Sequence, residues 1–327
     1  MVEVQWSFGM NISLHDVFMS PTLAEFAAAL KRGDLAIRHQ NLIPVRPAGT
    51  QTPLFIVHAL GGGVDYVADL APFINVDVPI YGLQATGFAP GQEPLKTIEE
   101  MAKLYVDGIR QIQPHGPYRV AGWSAGGTIA YEMARRLIEM GEKVGFVGLL
   151  DTVERMTEEP PRDFNANFQL IEVLSMLLDK EDLDEVTQMA QIHDFETLIN
   201  RGSHIMDKIA KQYPSVHALD TSTLLRILKI RQATANAQFN YSFVRLSMPV
   251  WLFEARESAQ LSGPAWRGLL GDDVQVVSVQ GTHHTMTSGL ENLRSLGAAI
   301  TDALAENSVQ VVSFSALDSL TPSAAEV

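Results

Sequence analysis

The chain has 327 residues, of which 46% are apolar and 19% charged, with a formal net charge of −14. That length and balance allow one sizeable core plus a small appendage, and the acidity argues against binding a phosphate backbone. Cysteine is absent, which excludes disulfides, thiolate metal sites and a cysteine nucleophile.

No apolar run reaches the roughly 18–20 residues needed to span a bilayer. The start, Met1-Val2-Glu3-Val4, has no basic stretch leading into an apolar one. No membrane contact and a cytoplasmic location are therefore expected.

Residues 1–33 read as a short helical piece. Thr22 and Glu25 have the spacing of a capping box. Leu23, Phe26, Ala27 and Leu30 follow at helical spacing, between Pro21 and Gly33. Such a piece is too small to hold a core of its own. A polar linker is expected over residues 34–41.

From residue 42 to 307, short apolar runs recur: Leu54–Val57, Ile80–Leu83, Tyr118–Ala121, Val144–Leu150, Val250–Phe253 and Val274–Val279. Near-continuous apolar runs suit strands buried on both faces of a parallel sheet. Helical patterns separate several of them. Thr97 and Glu100 form a second capping box, ahead of a face made by Ile98, Met101, Tyr105, Ile109 and Ile112. This alternation predicts an α/β fold with a mostly parallel, doubly wound sheet. The rhythm breaks over about residues 154–246, a helical insert that reads as a lid. Residues 308–327, rich in Ser and Ala, read as a loose tail.

The segment Tyr118-Arg-Val-Ala-Gly122-Trp123-Ser124-Ala125-Gly126-Gly127 places G-x-S-x-G between a strand and a helix. A serine at such a turn is a nucleophile elbow, exposed above the sheet on a strained backbone. Ile129, Met133, Leu137 and Ile138 continue as a helix that Gly141 closes. A serine hydroxyl needs a base, and this fold orders its partners as serine, acid, histidine. His283 and His284 both follow the last strand. Asp151 and Glu254 both end strands, and spacing alone leaves the acid open between them. The oxyanion needs two N–H donors: one is the amide of Ala125, and the other comes from the loop His58-Ala59-Leu60-Gly61-Gly62-Gly63.

Taken together, Pro53-Leu-Phe-Ile-Val-His58-Ala-Leu-Gly-Gly, Ile80-Tyr-Gly-Leu-Gln84, Gly122-Trp-Ser124-Ala-Gly-Gly, Leu149-Leu-Asp151 and Gly281-Thr-His283 resemble, in order, the type I thioesterase domains that end nonribosomal peptide synthetases. Phe8–Phe18 and Ser20–Ala27 resemble the C-terminal half of a peptidyl carrier domain, without the serine that bears phosphopantetheine. The resemblance implies an α/β-hydrolase fold and the triad Ser124, Asp151 and His283. It places the oxyanion donors at Ala125 and Ala59, with Leu60 as the alternative to Ala59. It also implies release of a carrier-bound peptidyl or acyl chain by hydrolysis or macrocyclisation. The expected partners are a carrier domain bearing the phosphopantetheine-linked substrate and upstream synthetase modules. No cofactor or metal is expected in the thioesterase domain itself, and a monomer is expected. The alternative is a stand-alone serine esterase or lipase of the same fold.

Overall fold

The computed structural model describes residues 41–89, 91–155, 165–175, 178, 180–201, 221–258 and 261–318, together with a few positions between 22 and 28. Most of the expected carrier-like piece, and residues 34–40 of the expected linker, lie outside the described residues. Within that piece the capping box is present. Thr22 Oγ1 accepts from the Glu25 amide (3.2 Å), and the Glu25 carboxylate accepts from the Thr22 amide (3.1 Å). Asn41 does not belong to a linker: its side-chain amide donates to the Gln84 carbonyl at 2.8 Å and ties it to the main body.

The elements in chain order are β1 (Leu42–Arg46), β2 (Leu54–Val57), α1 (Asp65–Leu70), β3 (Ile80–Leu83), α2 (Ile98–Ile112), β4 (Tyr118–Trp123), α3 (Ala125–Glu139), β5 (Val144–Leu150), α4 (Ala166–Leu174), α5 (Lys180–Ile192), α6 (Phe195–Arg201), α7 (Thr221–Asn240), β6 (Val250–Ala255), α8 (Gly263–Leu270), β7 (Val274–Val279) and α9 (Leu290–Asp318). The strands form one sheet in the order β1-β3-β2-β4-β5-β6-β7. Only β1 runs antiparallel, against β3. All other pairings are parallel.

The six apolar runs are all strands of this sheet, and all but the edge strand β7 are largely buried on both faces. One face is covered by α2, α3 and α8, through residues such as Ile98, Tyr105, Ile129, Met133 and Trp266. The other is covered by α1 and α9, through Val67, Leu70, Leu296, Ile300 and Leu304. That is the doubly wound arrangement. Strand β1 was not apparent in the sequence because Pro44 interrupts it. Proline removes a ladder donor and is tolerated at an edge, where β1 lies.

The expected insert consists of α4 to α7 between β5 and β6. It has a small core of its own, Leu170, Leu174, Val186, Leu198 and Leu228. Helix α7 also reaches the main body: Ala237 joins the core beside α3, and Gln238 donates to Thr128 at 3.1 Å. The expectation of a loose tail from residue 308 is corrected as far as Asp318, where α9 ends. No glycine or proline lies between Gly297 and Pro322, so nothing local stops the helix at 308. Residues beyond Asp318 lie outside the described ones. Among the described residues, no helix is long and apolar enough to cross a membrane.

Candidate active site

The site lies at the C-terminal ends of the parallel strands. Between β2 and β4 the strand order reverses, and loops there splay apart to leave a crevice. Ser124 follows β4, Asp151 follows β5, His283 follows β7, and the loop of His58 and Ala59 follows β2.

Ser124 sits between strand and helix with φ 56° and ψ −122°. That conformation is costly for a residue with a Cβ and survives only when its surroundings hold it. Three hydrogen bonds do so. The Ser124 amide donates to the Leu150 carbonyl at 2.9 Å, and its carbonyl accepts from the Gly127 amide at 3.1 Å. The same carbonyl accepts from the Thr152 hydroxyl at 3.0 Å. The glycines are needed for close approach: a Cβ on Gly122 would run into the backbone of Gly126, and one on Gly126 into the His58 carbonyl. Helix α3 ends as expected at Gly141 (φ 78°). The Glu142 amide bonds the Leu137 carbonyl and the Gly141 amide bonds the Ile138 carbonyl, a Schellman closure.

Asp151 is buried and also has a positive φ, 46°, a conformation that aspartate tolerates better than most residues. Its Oδ1 accepts from the Ala255 amide at 2.8 Å, and its Oδ2 from the Ser258 hydroxyl at 3.3 Å. Oδ2 also lies 2.8 Å from His283 Nδ1, and His283 Nε2 lies 3.1 Å from Ser124 Oγ. A carboxylate surrounded by donors accepts from Nδ1, so Nδ1 carries the proton and the Nε2 lone pair faces the serine. The structure thus brings Ser124, Asp151 and His283 into one line of hydrogen bonds.

The competing candidates lie elsewhere. Glu254 accepts from the Gly263 amide at 2.7 Å, at the start of α8. The His284 ring stands edge-on to the His283 ring, 5.1 Å between centroids. Burial, the neighbouring His283 and the Arg231 charge all push the His284 pKa down.

Two groups that the sequence did not single out brace the site. The Trp123 indole N–H donates to the His283 carbonyl at 3.1 Å, and the two rings are 5.8 Å apart. The Trp123 amide in turn donates to the Tyr66 hydroxyl at 3.3 Å, which donates to the Val57 carbonyl at 2.5 Å. One chain of contacts therefore links the end of β2, the elbow and the His283 loop. Trp123 is adjacent to Ser124 in sequence, which was the only local hint.

The loop after β2 is held by His58. Its Nδ1 lies 2.7 Å from the Ala59 carbonyl, and its Nε2 lies 2.8 Å from the Tyr105 hydroxyl. A carbonyl only accepts, so Nδ1 carries the proton and Nε2 accepts from Tyr105. Complete burial pushes the His58 pKa down to about 4. The Ala59 carbonyl also accepts from the Gly62 amide at 2.9 Å. Among the described residues, the amides of Ala59, Leu60 and Ala125 have no hydrogen-bond partner, as oxyanion donors require. No group of three or more His, Cys, Asp or Glu with metal-binding geometry occurs among the described residues.

Four likenesses to known proteins bear on this geometry. The thioesterase domain family model matches residues 52–301. A dimodular nonribosomal peptide synthase of Bacillus subtilis (strain 168) is 39% identical over 174 residues, which are 52% of this chain and 7% of that protein. The chain thus spans only a small share of that relative. A crystal structure of the NocB thioesterase domain, in covalent complex with a fluorophosphonate nocardicin G analog, superposes with a TM-score of 0.57 at 23% identity. It covers 80% of this chain and 99% of that one. A four-domain nonribosomal peptide synthetase, holo-AB3403, superposes with a TM-score of 0.69 at 21% identity, over 92% of this chain and 23% of that one. The last two likenesses bear on the fold alone, while the family model's span covers Ser124, Asp151 and the His283 loop together. The chain belongs to the thioesterase domain family.

Proposed function

We propose that this chain is a releasing thioesterase acting through Ser124. His283 Nε2 takes the Ser124 proton as Oγ attacks the thioester carbonyl of a peptidyl or acyl chain held on a carrier domain. Asp151 keeps the imidazole in its Nδ1–H tautomer and stabilises the imidazolium. The amides of Ala125 and Ala59 hold the oxyanion. Ala59 is the second donor that the family resemblance implies; its amide has no hydrogen-bond partner among the described residues, and Leu60 is the alternative. The pantetheine thiol leaves with the proton from His283, and an acyl-enzyme remains. Water, or an amine or hydroxyl of the chain itself, then attacks with His283 again as base, giving an acid or a macrocycle.

The observation that carries this reading is the unbroken line Asp151–His283–Ser124, at 2.8 and 3.1 Å, across three strand ends. The carrier-like segment ahead of the sheet and the synthetase relatives support a carrier-borne substrate. The partners are then a phosphopantetheine-bearing carrier domain and upstream synthetase modules. The thioesterase domain needs no cofactor for these steps, because every proton transfer runs through His283.

The test is covalent labelling. A fluorophosphonate should add once to the wild-type chain by intact mass, and not to Ser124→Ala, whose circular dichroism should be unchanged. An adduct that survives Ser124→Ala defeats the assignment. A stand-alone esterase would turn over simple soluble esters as well as peptidyl thioesters, a comparison that mass spectrometry of the products settles along with hydrolysis versus cyclisation.

A further inference from the structure

Resting on the thioesterase reading, the geometry points to a second polar element: Arg231 on α7 recognises an oxygen acceptor carried by the acyl chain, a carboxylate or an amide carbonyl. Arg231 is not surface decoration. Its side chain is only 15% exposed, and its Nε is buried without a hydrogen-bond partner among the described residues. Among the described residues its ion-pair partner is Glu172 on α4, with Nη2 3.9 Å from Oε2, beyond hydrogen-bond reach. A guanidinium carries five N–H donors. Leaving the buried Nε–H unserved is costly, and a ligand oxygen offsets that cost.

The position fits a ligand of the active site. Ile230, the preceding residue, packs against Gly62 and Gly87, on the oxyanion loop and its neighbour. The Arg231 charge is felt by His284, whose ring packs on that of His283. Arg231 therefore belongs to the inner side of the insert, with Glu172 of α4 beside it and His284 within reach of its charge, and the proposal takes the acyl chain past it. Carboxylate oxygens suit a planar guanidinium in a two-point fork, and an amide carbonyl suits a single bond.

Three length-matched thioesters of N-acetylcysteamine test this: hexanoyl, adipoyl and N-acetyl-β-alanyl. They share one leaving group and differ in the far end of the acyl chain. Wild type should prefer one or both polar chains over hexanoyl by about tenfold or more in kcat/KM, the scale of a charge-assisted hydrogen bond. Whichever polar chain leads distinguishes carboxylate from amide. In Arg231→Leu the ratio should collapse to about one, and Arg231→Lys should keep part of any adipoyl preference. A ratio measured within one preparation does not depend on the folded fraction, and Arg231→Gln provides a second neutral variant.

Three results overturn the inference: an unchanged ratio in Arg231→Leu, a parallel loss for all three thioesters, or the same collapse in Glu172→Gln. The second would mean that Arg231 reads the shared thiol half, and the third that it only braces α4. Failure of the underlying reading looks different: no thioester is turned over and Ser124 takes no fluorophosphonate. In that case both ideas fall.

Discussion

Buried His58 makes the stability of the oxyanion loop depend on pH. Unfolded, its imidazole titrates near 6.5, and folded at about 4. Between those values the unfolded chain binds a proton that the folded chain refuses, so stability falls as pH drops from about 6.5 to about 4. The slope is up to ~1.4 kcal/mol per pH unit. Urea unfolding at pH 7, 6 and 5 should show His58→Gln losing less stability with acid than wild type, by close to one proton. Parallel curves would contradict the buried neutral imidazole. At this scale the sequence marked Ser124 well, because an elbow leaves few alternatives for its central residue. It left Asp151 and Glu254 open, since both end strands, and His283 and His284 open, since both follow the same strand. What separates them is direction: Asp151 Oδ2 faces the His283 ring at 2.8 Å, and no spacing rule encodes that. Tyr66 was invisible because its partner at the elbow, the Trp123 amide, comes from a distant segment.

Individual elements explain how the rejected candidates are used. Glu254 lends its carboxylate to the first turn of α8, where the preceding Ser262 makes no side-chain cap. It is a capping group borrowed from a neighbouring strand. Glu254→Ala should lower stability by about 1–2 kcal/mol yet leave the rate of fluorophosphonate labelling within about threefold. Loss of labelling as severe as that expected of Asp151→Asn, about 10⁴ in turnover for a wrong tautomer, would return Glu254 to the catalytic role. The strands were legible because burial on both faces makes them almost purely apolar. The capping boxes were legible because their residues are local, although the second is looser than the spacing suggests. Thr97 accepts from the Glu100 amide at 3.1 Å, but the Glu100 carboxylate accepts from Lys96 rather than Thr97. Helix α1, six residues long, has too few turns to show a period.

Across the whole molecule, the sheet and its two layers form one body, and the insert keeps a separate core. Among the described residues, five buried ones make that core, against far larger clusters on the sheet, so its opening free energy should be lower. Hydrogen–deuterium exchange should reach the amides of α4 and α5 well before those of α3, β4 and β5. Equal protection across these segments would show the insert to be welded to the sheet. The insert was visible in the sequence as a break in the strand–helix rhythm, but its attachment through α7 was not. The indole of Trp123 gives this division a consequence. It grips the His283 loop from the residue beside Ser124, and Tyr66 anchors that grip to β2. None of these groups belongs to the insert. The insert can therefore be remodelled while Ser124 and His283 keep their alignment.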